Sequence, residues 1–148
     1  MFSFASHPDA KSHTGEVITL GGGAILSKSS KQKLVSRSST EAELIGLSDG
    51  LSTVLWVKNF LEEQGFNAEI IIHQDNKSTI ALAENGKSTT NRTRHINIRY
   101  FFIKEKIDNK EVKVVHTGTE DMLADFFSKL LQGSLFEKFR DIILNIPK

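Results

Sequence analysis

The sequence predicts an α/β fold in which an antiparallel hairpin comes first and helices then alternate with strands. Three observations predict it. Two β-prone runs, residues 16–20 and 24–28, flank Gly21-Gly22-Gly23; an apolar stripe of helical period follows from Thr40; and a β-branched run, Ile70-Ile71-Ile72, stands beyond that stripe.

The three glycines read as the turn of the hairpin, because glycine takes positive φ without steric cost. A phosphate-binding loop would need a helix start and a lysine pattern after them, and neither follows. A third strand is predicted over residues 34–36, after a Ser- and Lys-rich turn. From Thr40, the residues Leu44, Leu47, Leu51, Val54, Leu55 and Leu61 recur on one helical face, and Gly65 marks the end of that helix. Wholly apolar residues 70–72 predict a strand buried on both faces, with His73 as a core histidine and Gln74-Asp75-Asn76 as its end. A helix over 77–84, a polar loop over 85–91, a helix over 93–107, a strand over 112–115 and a helix over 120–131 complete the alternation. Residues 134–146 form a last amphipathic helix with Leu135, Phe136, Phe139, Ile142 and Ile143 in its stripe. Later strands reached by helical crossovers are expected to be parallel, with helices flanking the sheet. Residues 1–131 are expected to form the domain, with the helix of 132–148 packed on it.

At 148 residues, with 39% hydrophobic and 25% charged content, the chain has the composition of a globular domain rather than a disordered one. It has no cysteine, which excludes disulfides, thiolate nucleophiles and cysteine-held zinc, so a metal would be held by oxygen or imidazole. No run approaches the roughly 18 apolar residues of a membrane span, and the first residues lack the basic and apolar regions of a signal peptide. A soluble, intracellular protein without a membrane partner is expected. The net charge of +1 conceals segregation. Residues 28–37 carry four bases and no acid, residues 87–113 carry eight bases against three acids, and residues 41–84 carry eight acids against two bases. An acidic centre between basic arms suits a polyanion bound through metal ions.

Three acids stand at element ends: Glu43 in the first turn of the long helix, Asp75 at the end of the apolar strand, and Asp125 in the helix after the last strand. Each has an ordinary reading too. Thr40-Glu41-Ala42-Glu43 is a capping box, Asp75 can cap the helix it precedes, and Asp125 can be a solvated residue opposite the stripe of Met122, Leu123, Phe126, Phe127 and Leu130. The chemical reading is a magnesium site, since hard divalent ions take carboxylate and water oxygens, and phosphodiester hydrolysis uses two such ions.

Ser38-Ser39-Thr40-Glu41-Ala42-Glu43 and Gln74-Asp75-Asn76-Lys77-Ser78 resemble the SSTEAE and C/Q-D-N-x-S motifs of the ribonuclease H domain in Ty1/copia-type retrotransposon polyproteins. Arg94-His95-Ile96-Asn97-Ile98-Arg99-Tyr100 resembles the family's KHIDIRY block, and Leu123-Ala124-Asp125-Phe126-Phe127-Ser128-Lys129 its LADxxTK block; Leu130 stands where relatives usually have proline. The motifs fall in family order over almost the whole chain. The resemblance implies a ribonuclease H-like mixed sheet and a metal-dependent endonuclease that cuts the RNA strand of an RNA/DNA hybrid during reverse transcription. It further implies Glu43, Asp75 and Asp125 as catalytic and metal-holding residues, and two Mg2+ or Mn2+ ions as cofactors. An upstream reverse transcriptase segment of the same polyprotein, and a cytoplasmic particle or the nucleus as location, are implied as well.

The family uses four acids, and its DASFxxHPDxKSHTG pattern places the first of them at Met1; Asp9 belongs to the later HPD part. The first central strand is therefore expected to be largely missing and hydrolysis by these 148 residues weak or absent. Two explanations stand side by side: a piece of a longer polyprotein, or a decayed or repurposed copy that binds nucleic acid without cutting it. The basic arms, with Lys31, Lys33 and Arg37 in one and Arg92, Arg94, His95 and Arg99 in the other, are expected to meet phosphates. Solvated helix faces are the alternative. His116, leaving the last strand, reads either as a surface histidine or as an auxiliary group assisting product release.

Overall fold

A computed structural model describes residues 2–3, 8–85 and 94–147, so Met1 and Arg92 lie outside the described residues. The chain divides into two compact units, residues 39–117 and residues 1–38 with 118–148. The fold is α/β, with an antiparallel hairpin and a parallel strand pair as the residue pattern predicts, and with four α-helices among the described residues.

In the unit of residues 1–38 and 118–148, β1 (Phe2–Ser3), β2 (His13–Leu20) and β3 (Gly23–Lys31) pair antiparallel in that order. The hairpin is longer than residues 16–28. Its extra pairs, from His13↔Lys31 to Gly15↔Ser29, run through Ser and Lys residues that an edge strand can turn to water. Of the three glycines only Gly21 takes positive φ, at 73°. Gly22 and Gly23 serve a different need: a Cβ on either would lie 2.9 to 3.0 Å from the Asn145 side chain.

Residues 34–36 form no strand. Gln32 and Ser36 are buried there: the Gln32 N–H donates to Ser12 O at 2.8 Å, its Nε2 donates to Thr14 Oγ1 at 2.8 Å, and the Ser36 and Ser12 hydroxyls lie 3.3 Å apart. The helix expected over 120–131 is instead two 3₁₀ turns, Thr119–Asp121 and Leu123–Phe127, separated at Met122, whose ψ of 86° is not helical. This break buries Met122, Ala124 and Asp125 together and leaves Leu130 fully exposed, against the stripe of an unbroken helix. The second turn packs on β2 and β3. His13 Nε2 and Ser29 Oγ lie 2.7 Å apart, and that hydroxyl donates to the Phe127 carbonyl at 2.6 Å. The last helix, α4 (Gly133–Ile143), buries Phe139 and stacks Phe136 on Phe126 at 5.0 Å between ring centroids. It stops short of residue 146, before Asn145 takes the left-handed conformation.

In the unit of residues 39–117, α1 (Ser39–Glu63) buries Leu44, Ile45, Leu47 and Leu51 and packs on α2 (Lys77–Asn85) and α3 (Arg94–Asp108). Its end is a Schellman motif: Gly65 has φ 85°, its N–H donates to Glu62 O and the Phe66 N–H to Leu61 O, both at 2.9 Å. β4 (Ile71–Gln74) pairs parallel with β5 (Lys113–His116), in register from Ile71↔Lys113 to Gln74↔His116. This strand is not buried on both faces. Ile70 and Gln74 are buried, whereas Ile71 is 49% exposed and His73 faces water, its Nδ1 2.7 Å from Thr117 Oγ1. The strand therefore alternates, with Ile70 and Gln74 on a covered face and Ile71 and His73 on an open one.

Candidate functional site

Asp75 stands at the turn where β4 gives way to α2, a place set by three local choices. The strand that the β-branched run begins ends at Gln74; Asn76 caps the next helix, its Oδ1 accepting the Thr79 N–H at 3.1 Å; and Lys77 begins the helix. Gln74 folds back over this turn. Its Oε1 accepts the backbone N–H groups of Asp75 at 2.9 Å and Asn76 at 3.2 Å, and its Nε2 donates to Glu43 Oε2 at 3.0 Å. One buried carboxamide thereby joins Glu43, which is only 3% exposed in the first turns of α1, to the backbone that carries Asp75.

Asp75 Oδ1 is buried and has no hydrogen-bond partner among the described residues. Leaving such an acceptor unmet costs about 1 to 3 kcal/mol, a cost that a bound cation removes. The donor set, two carboxylates with no sulfur, is the kind that a hard divalent ion takes. Among the described residues, neither unit by itself gathers three His, Asp or Glu side chains into a group able to hold a metal ion.

Asp125 belongs to the other unit, in the turn Leu123–Phe127. It is fully buried rather than solvated, and Lys129 Nζ lies 3.0 Å from its Oδ2. A buried charge requires such a partner. Gly15 holds this turn against the hairpin, since a Cβ there would sit 2.5 Å from Ala124 O.

The basic residues stand at or near the surface. Lys31 pairs with Asp9 at 2.6 Å, and its hydrogen bond holds the Asp9 carboxyl below its ordinary pKa. Arg99 pairs with Asp49, joining α3 to α1. Lys33, Arg37, Arg94 and His95 are exposed. His116 ends β5 exposed, in register with Gln74. Two residues absent from the expected set each hold one of its acids, Gln74 holding Glu43 in one unit and Lys129 holding Asp125 in the other. The signals for them are an amide one residue before an acid at a strand end, and a lysine four residues after one.

In sequence the chain is similar to retrotransposon Pol polyproteins over most of its length. The relatives include the retrovirus-related Pol polyprotein from transposon TNT 1-94 of Nicotiana tabacum, 36% identical over 134 residues, 90% of this chain. That from transposon RE1 of Arabidopsis thaliana is 35% identical over 133 residues, 88% of this chain, and the transposon Ty1-NL2 Gag-Pol polyprotein of Saccharomyces cerevisiae is 25% identical over 138 residues, 91% of it. The chain spans 8 to 10% of the length of these three relatives. No family model matches the chain, and no solved structure does. Among the described residues no helix is long and apolar enough to cross a membrane.

Proposed function

We propose that this chain is the ribonuclease H segment of a retroelement Pol polyprotein, hydrolysing the RNA strand of RNA/DNA hybrids with divalent metal. The observation that carries the reading is the strand-end pair in residues 39–117: Asp75 with a buried, unmet carboxylate oxygen, tied through Gln74 to buried Glu43. The order of motifs and the Pol polyprotein relatives support it.

Glu43 and Asp75 would hold magnesium or manganese, with Asp125 as a further acid. When bound, two such ions about 3.5 to 4 Å apart activate a water and stabilise the leaving oxygen. The chain's own residues do the rest. Burial of Glu43 and Asp125 keeps their carboxylates short of water, which strengthens their hold on a cation. Exposed Arg94 and His95 on α3, and Lys33 and Arg37 on the other unit, would meet backbone phosphates without reading base sequence.

The test is cleavage of a labelled RNA/DNA hybrid with Mg2+ or Mn2+. It compares the 148 residues, the same chain extended upstream by the relatives' segment carrying the first aspartate, and Asp75→Asn in the extended form. The extended chain is expected to cleave, Asp75→Asn to lose about a hundredfold or more, and the 148 residues, with Met1 at the first-acid position, to be weak. Cleavage indifferent to Asp75→Asn overturns the reading. Hybrid binding without cleavage by the extended chain favours a non-catalytic, nucleic-acid-binding descendant of the same fold.

A further inference from the structure

Gln74 is 4% exposed, and both ends of its carboxamide are committed. Its oxygen faces two backbone N–H groups, those of Asp75 and Asn76, and can only accept from them; its nitrogen faces the Glu43 carboxylate and can only donate. Turning the amide over would set N–H against N–H and oxygen against carboxylate. One orientation is therefore fixed by its surroundings, and through it the direction of Glu43 Oε2 relative to the turn that bears Asp75.

We infer that Gln74 is a positioning residue: it sets the Glu43 carboxylate against the Asp75 turn and leaves Asp75 Oδ1 open to a cation. The inference rests on the proposed metal-dependent reading for what the cation is, while the clamp itself rests on geometry alone. Neither methionine nor glutamate offers the same service at this place. Methionine has the length but neither donor nor acceptor, and glutamate keeps the acceptor while meeting Glu43 with a second negative oxygen. Groups that orient a metal ligand in this way change affinity by about ten- to a hundredfold when removed, without touching the ion.

Two nuclear magnetic resonance measurements on the full 15N-labelled chain test it. The first follows the Gln74 side-chain NH2 signals, expected to be displaced from those of a free amide and to return towards them in Glu43→Ala. The second titrates Mn2+ and reads paramagnetic broadening of the Asp75 and Asn76 amides. Gln74→Met is expected to raise the Mn2+ concentration needed by about tenfold or more. Asn76→Ala, which removes the helix cap on the same turn but not the bond to Glu43, is expected to stay within about twofold of the parent.

Gln74 signals indifferent to Glu43→Ala overturn the clamp, whatever Mn2+ does. Displaced signals with Gln74→Met binding Mn2+ like the parent, or with Asn76→Ala losing as much as Gln74→Met, reduce Gln74 to a structural residue and overturn the inference. No broadening in the parent chain while the Gln74 signals remain displaced overturns the metal reading, and the positioning role with it, but leaves the amide geometry standing. That result is distinct from the loss of the clamp.

Discussion

The two units hold buried carboxylates by opposite means. In residues 39–117, Glu43 receives a neutral N–H from Gln74, on a strand and two helices that follow local preference. In the unit of the hairpin and the C-terminal helix, Asp125 receives a cation from Lys129, on a 3₁₀ turn that exists because the hairpin braces it. The difference teaches where each acid's position comes from. Glu43 is placed by regular structure and adjusted by an amide. Asp125 is placed by tertiary packing, and its charge is offset by a side chain that is 39% exposed and open to competition from salt.

The sharpest way to break the comparison is to disturb the brace. Gly15→Ala brings a methyl 2.5 Å from Ala124 O and 3.0 Å from the Phe127 backbone, so its unit is expected to lose about 3 kcal/mol in urea denaturation. At Gly118 a Cβ meets nothing within 4 Å, and Gly118→Ala is expected to change stability by less than about 0.5 kcal/mol. Equal effects from the two would mean that the turn does not lean on the hairpin.

A smaller effect sharpens the contrast between cation and amide. Lys129→Met takes one charged partner from Asp125; removing one partner of a fully buried pair costs about 3 to 5 kcal/mol, and solvent screening at Lys129 lowers the expectation to about 2 kcal/mol. Because the pair is ionic, part of the parent's advantage over the variant is expected to vanish in 1 M salt. A salt-independent difference between the two would show that Lys129 acts through its alkyl chain instead.

The smallest effect is one the units share. Asp9 is held below its ordinary pKa of 3.8, foremost by the hydrogen bond from Lys31, and Glu111 below 4.5, foremost by that from Lys106. A carboxyl that loses its proton more readily when folded stabilises the fold above its unfolded value, and that contribution fades as pH falls through the lowered one. Both groups lie at the surface, so only a slight loss below about pH 4.5 is expected. Hydrogen exchange resolved by unit should show Lys31→Met flattening it in one and Lys106→Met in the other.

Regular elements were legible wherever periodicity had one interpretation. The stripe from Leu44 to Leu61 and the glycine behind it give α1 and its Schellman end, and the order of runs gives the α/β class with its parallel pair. The errors fall where tertiary contacts override local pattern. Residues 70–72 look buried on both faces because three β-branched residues carry no sign of what covers each face of the sheet; one face is open here, and Ile71 turns outward on it. Phe126, Phe127 and Leu130 fit a helical stripe on paper, but Met122 breaks the helix and Leu130 points to water. The acids at 43, 75 and 125 could be read from residue type and motif, whereas the helix cap expected at Asp75 falls one residue later, on Asn76. The partners that hold them could not, because Gln74 reaches Glu43 across 31 residues of sequence.

The bond between the hairpin and the Asp125 turn has a direction. A serine hydroxyl has one proton, and Ser29 spends it on the Phe127 carbonyl, which can only accept. Toward His13 the same oxygen must therefore receive, so His13 carries its hydrogen on Nε2. That hydrogen is present in one neutral form of the ring and in the doubly protonated form alike. The line from imidazole to hydroxyl to carbonyl therefore runs one way, and the hairpin and the turn are joined by two bonds of fixed sense.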